Sequence, residues 1–395
     1  MRIYVADFAG HPFQSQLSRK LAEYGFFVRH AFSEEYASGK GNFKVEKDLE
    51  SQLSYIGLST GITMNKYDIK SRFIFEINFA RIMKSNILQF KPDVIIFCNI
   101  PLLSMYLLSL NKKLKPFIFW HQDIYSMPIE EEIKKRFKLI GNIFSGLFSK
   151  MEKTILKKSS HIVPISQVFT PFYQSIPIDH KKITVIENWA PLTEIVPKKS
   201  QNSWSNRNIK KTEALQVVYS GTLGRKHNPQ LLLDFAVNTK RAHINLDLTV
   251  IAEGDGADWL RRNSSQCDNI KVLSYQPYEL FSEVLSSFDL ALVILETNAS
   301  KFSIPSKVLS HLSAGNAVIG LLPKENPAAI LIENSGNFVS TPDSFGISQA
   351  VGWLSGLTAT NLRTIGKSSR KYAEENFAIE EKIESFIKII TGVHQ

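Results

Sequence analysis

Short apolar runs alternate with amphipathic stretches from the first residues of the chain. Ile3–Val5 reads as a strand, Gln14–Tyr24 as a helix and Phe27–His30 as a second strand. The pattern continues with a helix at Lys70–Gln89, a strand at Asp93–Cys98, a helix at Leu102–Leu110, and strands at Phe117–Trp120 and His161–Pro164. Apolar runs separated by helical segments predict a mostly parallel sheet covered by helices on both faces. A strand ends near Ile183-Thr184-Val185-Ile186, and the polar stretch Pro197–Glu213 reads as an interdomain linker. A second series follows, with strands at Gln216–Tyr219, Asp247–Ile251, Ile270–Leu273, Leu290–Leu295 and Val318–Leu321. Tyr372, Phe377, Ile383, Phe386, Ile387 and Ile390 recur at helical spacing and predict one or two closing helices that pack back on the first domain. The expected fold class is α/β, with two Rossmann-like domains facing across a cleft. Their expected limits are 1–190, with a C-terminal helix at about 375–395, and 191–374.

Composition narrows the classes. A chain of 395 residues exceeds what one core usually serves, and 44% apolar with 21% charged residues is ordinary for a globular protein. The N-terminal run Ile3-Tyr4-Val5-Ala6 is too short for a signal segment and meets Asp7 at once. No apolar stretch approaches the roughly 18 to 20 residues of a membrane span. The two cysteines, Cys98 and Cys267, sit in no metal or redox spacing, which fits a reducing cytosol.

The excess of 47 basic over 37 acidic residues leaves a net charge of +10 and implies a polyanionic partner. Much of it lies in Ile133–Lys158, where Lys134, Lys135, Arg136, Lys138, Lys150, Lys153, Lys157 and Lys158 alternate with aromatic and aliphatic residues. Such a basic amphipathic helix is either a packed helix with a solvated lysine face or a docking element for an anionic membrane surface. No recognition motif supports nucleic acid.

Three segments carry candidate chemistry. In the first, the apolar strand Val217-Val218-Tyr219 runs into Ser220-Gly221-Thr222-Leu223-Gly224-Arg225-Lys226, ahead of the helical run at Leu231. A glycine turn between strand and helix presents backbone N–H groups and the positive helix end to one spot, which suits a phosphate, although the same turn also punctuates many α/β proteins. In the second, the strand Leu290–Leu295 leads to Glu296, a polar loop, and Ser303-Ile304-Pro305-Ser306-Lys307 before a helix that stops at Gly315. In doubly wound sheets such loops lie beyond the carboxyl ends of the strands, where ligands bind. In the third, Trp120-His121-Gln122-Asp123 ends a strand, and His121 with Asp123 at that end is a candidate pair.

Taken together, Ser220-Gly221-Thr222-Leu223-Gly224, Glu253-Gly254-Asp255-Gly256, Glu296, Pro305-Ser306-Lys307 and Ala314-Gly315 resemble the C-terminal half of family 4 glycosyltransferases of the GT-B fold. The likeness is greatest to the bacterial surface-polysaccharide branch of the colanic-acid and fucosamine transferase type, whose interdomain strand ends in Asn-Trp as Asn188-Trp189 does here. The resemblance spans nearly the whole chain. It implies metal-independent transfer of a sugar, with retention at the anomeric carbon, from a UDP- or GDP-linked donor and with no cofactor. The implied acceptor is an undecaprenyl-linked saccharide, in O-antigen or capsule assembly by a cytoplasmic enzyme held peripherally at the inner membrane.

The same resemblance assigns residues. Glu296 matches the first glutamate of the family's Glu-x7-Glu motif, near the donor sugar, and His121 and Asp123 match its loop reaching donor sugar and acceptor. Gly10, Gly221, Thr222, Arg225, Lys226, Glu253, Ser303, Pro305, Ser306, Lys307 and Ser310 fall at donor-binding positions. There are two departures. Ser310 stands where relatives carry the ribose-binding second glutamate, and Gly221-Thr222-Leu223 replaces the usual Gly-Arg-Leu, which moves the cationic work to Arg225 or Lys226. Two other readings share the fold: a nucleotide-sugar 2-epimerase, and a non-catalytic subunit that binds a nucleotide sugar.

Overall fold

The central strands are apolar on both faces, and this decides how the chain layers. Ile3, Tyr4, Val5 and Ala6 are all fully buried, as are Val94, Ile96, Phe97 and Cys98, so each such strand must be covered by helices above and below. The computed structural model describes residues 1–36, 40–62, 68–126, 141–210, 212–224, 228–296 and 306–394. It divides into two compact units, Met1–Asn188 with Glu380–Gln395, and Trp189–Ile379.

The first unit contains β1 (Arg2–Ala6), α1 (Pro12–Glu23), β2 (Phe27–Ser33), β3 (Leu53–Leu58), α2 (Ile69–Phe90), β4 (Val94–Cys98), α3 (Leu102–Ser109), β5 (Phe117–His121), α4 (Gly141–Lys158), β6 (His161–Pro164) and the short α5 (Thr170–Gln174). Its six strands are parallel and lie in the order β3-β2-β1-β4-β5-β6. The closing helix at Ile379–His394 joins this unit from Glu380 on, with the Phe386 ring 5.1 Å from that of Trp120.

The second unit begins with α6 (Ser203–Asn208), β7 (Leu215–Ser220), α7 (Gln230–Arg241), β8 (Leu246–Ile251), α8 (Asp255–Asn263), β9 (Ile270–Leu273) and α9 (Phe281–Ser286). It continues with β10 (Leu290–Ile294), α10 (Lys307–Ala314), β11 (Ala317–Leu321), α11 (Pro327–Asn334), β12 (Phe338–Ser340), α12 (Ser344–Ser355) and α13 (Ala359–Asn376). The closing helix is therefore α14. The strand order β12-β11-β10-β7-β8-β9 is that of the first unit repeated, and all pairings are again parallel.

Both sheets thus carry a topological switch point, β1/β4 in one and β7/β10 in the other, where successive crossovers leave in opposite directions. A crevice opens there at the carboxyl ends. In the second unit the β7–β8 ladder covers six residue pairs, whereas β7 meets β10 only through Leu290↔Val217 and Ala291↔Val218. The two strands therefore part toward their carboxyl ends, just where the candidate residues follow.

Two local outcomes differ from the sequence expectation. Ile183–Ile186 forms no strand: a single bridge, Ile183 to Ile162, is flanked by bonds from the Thr184 and Ile186 N–H groups to Ile162 and Pro164 carbonyls, both 3.0 Å. The polar stretch 197–213 is not simply a tether. Asn202 and Ser205 form a capping box that starts α6 and buries Trp204, whose indole N–H donates to Gln276 Oε1 at 2.8 Å. Helix α4 runs unbroken through Gly146, while Lys134, Lys135, Arg136 and Lys138 lie outside the described residues.

Candidate functional site

Gly221 leaves β7 with φ +129°, a conformation that side chains rarely adopt, and a Cβ there would stand 3.2 Å from Lys307 Nζ. The turn that follows docks on the next βα unit. Leu223 N–H donates to the Glu253 carbonyl at 3.0 Å, and Gly256 N–H donates back to the Leu223 carbonyl at 2.8 Å. A Cβ on Gly256 would come within 2.7 Å of that carbonyl oxygen, so the contact requires glycine. Thr222 is exposed, its hydroxyl 2.8 Å from the Tyr275 hydroxyl, and Glu253 Oε1 accepts from Tyr275 N–H at 3.4 Å.

Lys307 opens α10 and reaches back to β7. Its ammonium donates to the Tyr219 hydroxyl at 3.0 Å and lies 4.2 Å from the ring centroid. The Tyr219 hydroxyl in turn donates to the Thr222 carbonyl at 3.0 Å, which ties lysine, strand and turn into one unit. Desolvation pushes the Lys307 ammonium down to about 8. Among the described residues no carboxylate forms an ion pair with it. The first turn of α10 contains no acidic residue, and Ser306 at its cap makes no capping side-chain bond. Positive potential from a cation and a helix end therefore meets beside the Gly221 turn. Ser306 is exposed and Ser310, one turn along, half-buried. Glu296, half-buried, stands two residues beyond the end of β10. Arg225, Lys226, Ser303 and Pro305 lie outside the described residues.

In the first unit Gly10 occupies the β1–α1 turn, and its carbonyl accepts from Gly41 N–H at 2.8 Å. The turn is braced by the fully buried Asp7, whose carboxylate accepts from Ala9 N–H at 3.1 Å and His11 N–H at 3.0 Å. His121 is fully buried at the end of β5. Its Nε2 lies 3.2 Å from Glu152 Oε1 and its Nδ1 2.6 Å from the Tyr173 hydroxyl. Glu152 also accepts from Tyr125 N–H at 2.8 Å and Ser126 N–H at 3.0 Å. Burial by itself would raise the Glu152 carboxyl, but the bonds from His121, Ser126 and Tyr125 outweigh it and hold the group below its ordinary value. An ionised carboxylate only accepts, so His121 Nε2 carries a hydrogen. Both ring nitrogens are thus engaged inside the unit, while Asp123 two residues on is exposed. Between them, Gln122 and Asn188 exchange amide hydrogen bonds of 3.1 and 3.3 Å.

Tyr219 and Glu152 are the residues that sequence reasoning missed. Glu152 had a visible signal, a lone acid between Met151 and Ile155 on the apolar side of a basic helix. Tyr219 had none, because a strand tyrosine reads as core. Among the described residues no group of three or more His, Cys, Asp or Glu could hold a metal. A shallow cavity of about 280 Å³ lies at the opposite end of the second sheet, lined by Gln216, Asp247, Asp268 and Lys271 near the amino ends of β7–β9, away from the Gly221 turn.

The whole chain is similar to solved structures of GT-B glycosyltransferases. Sucrose-phosphate synthase from Thermosynechococcus elongatus aligns over 99% of this chain and 98% of its own, with 13% identity and a TM-score of 0.73. HepE from Anabaena, solved with UDP and glucose, aligns over 99% of both chains at 12% identity and a TM-score of 0.70. WaaG, a glycosyltransferase involved in lipopolysaccharide biosynthesis, aligns over 99% of this chain and 100% of its own at 14% identity and a TM-score of 0.68. At these identities the likeness defines the fold, GT-B with two Rossmann-like domains. No protein-family model and no curated protein sequence matches the chain.

The Glu152 network generates a stability prediction. Glu152→Ala strips a buried carboxylate from His121 and two backbone N–H groups, and is expected to lower the unfolding free energy by roughly 3 to 5 kcal/mol in denaturant titrations. A loss below about 1 kcal/mol would mean that His121 and the Tyr125-Ser126 backbone are held by other contacts.

Proposed function

We propose that the chain is a glycosyltransferase that moves a sugar from a nucleoside-diphosphate donor, UDP- or GDP-linked, to a saccharide acceptor, with retention at the anomeric carbon and without a metal. The observation that carries this reading is Lys307, a desolvated ammonium held by Tyr219 beside a glycine turn, at the switch point of the second domain of a GT-B fold. A cation with no carboxylate partner among the described residues is suited to a polyanion, and a leaving diphosphate gains negative charge as the glycosidic bond breaks. The UDP bound in HepE supports the choice of ligand class.

In this proposal Gly221, Thr222 and the start of α10 at Ser306 meet the diphosphate by backbone N–H groups, together with Lys307 and the cations Arg225 and Lys226. Ser303, Pro305 and Glu253 border the nucleotide, and Ser310 offers a hydroxyl to the ribose in place of a carboxylate. Glu296 acts on the donor sugar, and Gly10 keeps the donor-binding role that the family resemblance implies. Asp123 is the exposed acid of the β5 loop, while His121, enclosed by Glu152 and Tyr173, acts by positioning that loop. The serine at 310 favours one other reading, a nucleotide-sugar-binding subunit without turnover. Incubation with a panel of UDP- and GDP-sugars and lipid-linked saccharides separates the cases. Transfer releases nucleoside diphosphate only when acceptor is present, a binding subunit releases none, and an epimerase converts the donor without acceptor.

The acceptor is proposed to be lipid-linked, at an anionic membrane surface in surface-polysaccharide assembly on the cytoplasmic side. Helix α4 buries Met151, Ile155 and Leu156 and leaves Lys150 and Lys157 exposed, with Leu147 45% exposed on the same helix. No described helix is long and apolar enough to cross a membrane.

Three outcomes are expected. UDP affinity should be full below the Lys307 value of about 8 and fall as pH rises through it, because only the ammonium pairs with the diphosphate. In Lys307→Gln that alkaline decline should vanish and UDP should bind about tenfold or more weakly, with uridine unaffected. A parent affinity that stays flat to about pH 9.5 would remove Lys307 from the phosphate site. Glu296→Gln should lower kcat about tenfold to a thousandfold with little change in nucleotide affinity, and transfer at the parent rate would reduce Glu296 to a loop acid. Replacing Lys150, Lys153, Lys157 and Lys158 by glutamine should abolish sedimentation with anionic vesicles, since each lysine near the surface contributes about 1 kcal/mol. Undiminished sedimentation at physiological salt would refute docking through α4.

A further inference from the structure

Behind the Lys307 contact lies a second buried chain of hydrogen bonds to which the reading above gives no role. Ser220, the last residue of β7, places its hydroxyl 3.1 Å from His311 Nε2, and His311 Nδ1 lies 3.2 Å from Asn316 Oδ1. The Asn316 amide nitrogen donates to two backbone carbonyls, Leu285 at 3.0 Å and Phe288 at 2.8 Å. His311 is fully buried, Asn316 is 2% exposed and Ser220 is 4% exposed.

The directions of these bonds follow from the ends. Both Asn316 amide hydrogens are committed to carbonyls, so the atom facing His311 is the oxygen, which only accepts. His311 Nδ1 therefore carries the ring hydrogen, Nε2 has the lone pair, and the Ser220 hydroxyl donates to it. Burial, with the nearby Lys307 charge adding to it against the Asn316 bond, pushes His311 down to about 4, so the ring stays neutral at physiological pH. The result is a directional link from the end of β7 through α10 to the backbone around the C-terminus of α9.

His311 and Lys307 are four residues apart on α10 and share one helix face. Both lean on the end of β7, Lys307 on Tyr219 and the Gly221 turn, His311 on Ser220. We infer that His311 is a positioning residue of the donor site: through Ser220 and Asn316 it fixes the rotation of α10 against β7, so that the Lys307 ammonium stands at the Gly221 turn. Packing alone would tolerate small rotations of an eight-residue helix, whereas a neutral imidazole with one donor and one acceptor nitrogen meets its two partners in one orientation. The inference rests on the proposed diphosphate site.

The test is calorimetric binding of UDP and of uridine to the parent protein and to Ser220→Ala, Ser220→Thr, His311→Phe and Lys307→Gln. Ser220→Ala and His311→Phe should weaken UDP roughly tenfold while uridine changes less than about twofold, since the loss acts through a charged contact. Ser220→Thr keeps the hydroxyl and should bind UDP like the parent. Introduced into Lys307→Gln, neither Ser220→Ala nor His311→Phe should cost further UDP affinity, because residues acting through one contact are not additive. Should His311→Phe not fold, Ser220→Ala carries the comparison. UDP binding by Ser220→Ala at parent affinity, equal losses for UDP and uridine, or an undiminished loss in the Lys307→Gln background would each overturn the positioning role. A parent protein that binds no nucleoside diphosphate would overturn the donor site itself, and this inference with it.

Discussion

Taking the Lys307 ammonium out of water costs free energy that a carboxylate would ordinarily offset, and the described contacts supply instead the Tyr219 hydroxyl and ring face. The arrangement around the β7/β10 switch point follows from that choice. Tyr219 can serve the lysine because its hydroxyl also donates to the Thr222 carbonyl, and Gly221 is required because any Cβ would crowd the ammonium. The turn cannot drift, since Leu223 is clasped by Glu253 and Gly256 of the next βα unit. An incompletely compensated cation is thus held in a rigid frame, the preorganised electrostatics suited to stabilising charge that appears only during a reaction.

The sheet supplies the space in which this frame sits. Two pairing steps between β7 and β10, against six between β7 and β8, leave the carboxyl ends of the central strands apart. Gly221 follows the first of those ends and Glu296 stands two residues beyond the second. Arg370 of α13 braces the same unit from behind, donating to the carbonyls of Leu192, Ile195 and Ser313 at 2.7 to 3.2 Å. One guanidinium thereby anchors the segment entering the second unit to the end of α10, using the several fixed donors that lysine lacks.

The two histidines show how one side-chain type takes different forms by its surroundings. His121 gives its Nε2 hydrogen to an ionised carboxylate, and His311 gives its Nδ1 hydrogen to an amide. Each is fully buried near the carboxyl ends of its own unit's strands. In both, the second nitrogen meets a hydroxyl, Tyr173 in one and Ser220 in the other, so each ring joins elements that share no backbone ladder.

The apolar runs determined the architecture by themselves. A strand such as Val94–Cys98 or Leu290–Ile294, buried along its whole length, has no stable place except the middle of a two-faced sheet, and ten of the twelve described strands were legible from their apolar runs. The two that were not, Leu53–Leu58 and Phe338–Ser340, each form one edge of a sheet and are half-buried and mixed in polarity, so their pattern is that of a loop until a neighbour supplies the ladder. Glycine spacing likewise marked the Gly221 turn, since few other residues suit its backbone. What a side chain does there was decided by tertiary structure alone. Lys307 becomes a desolvated cation only when α10 meets Tyr219, 88 residues away in sequence, and Glu152 becomes a buried acceptor only when α4 is laid against the end of β5. Protonation, tautomer and burial depend on neighbours brought together by the fold, and the linear order of residues does not contain those distances.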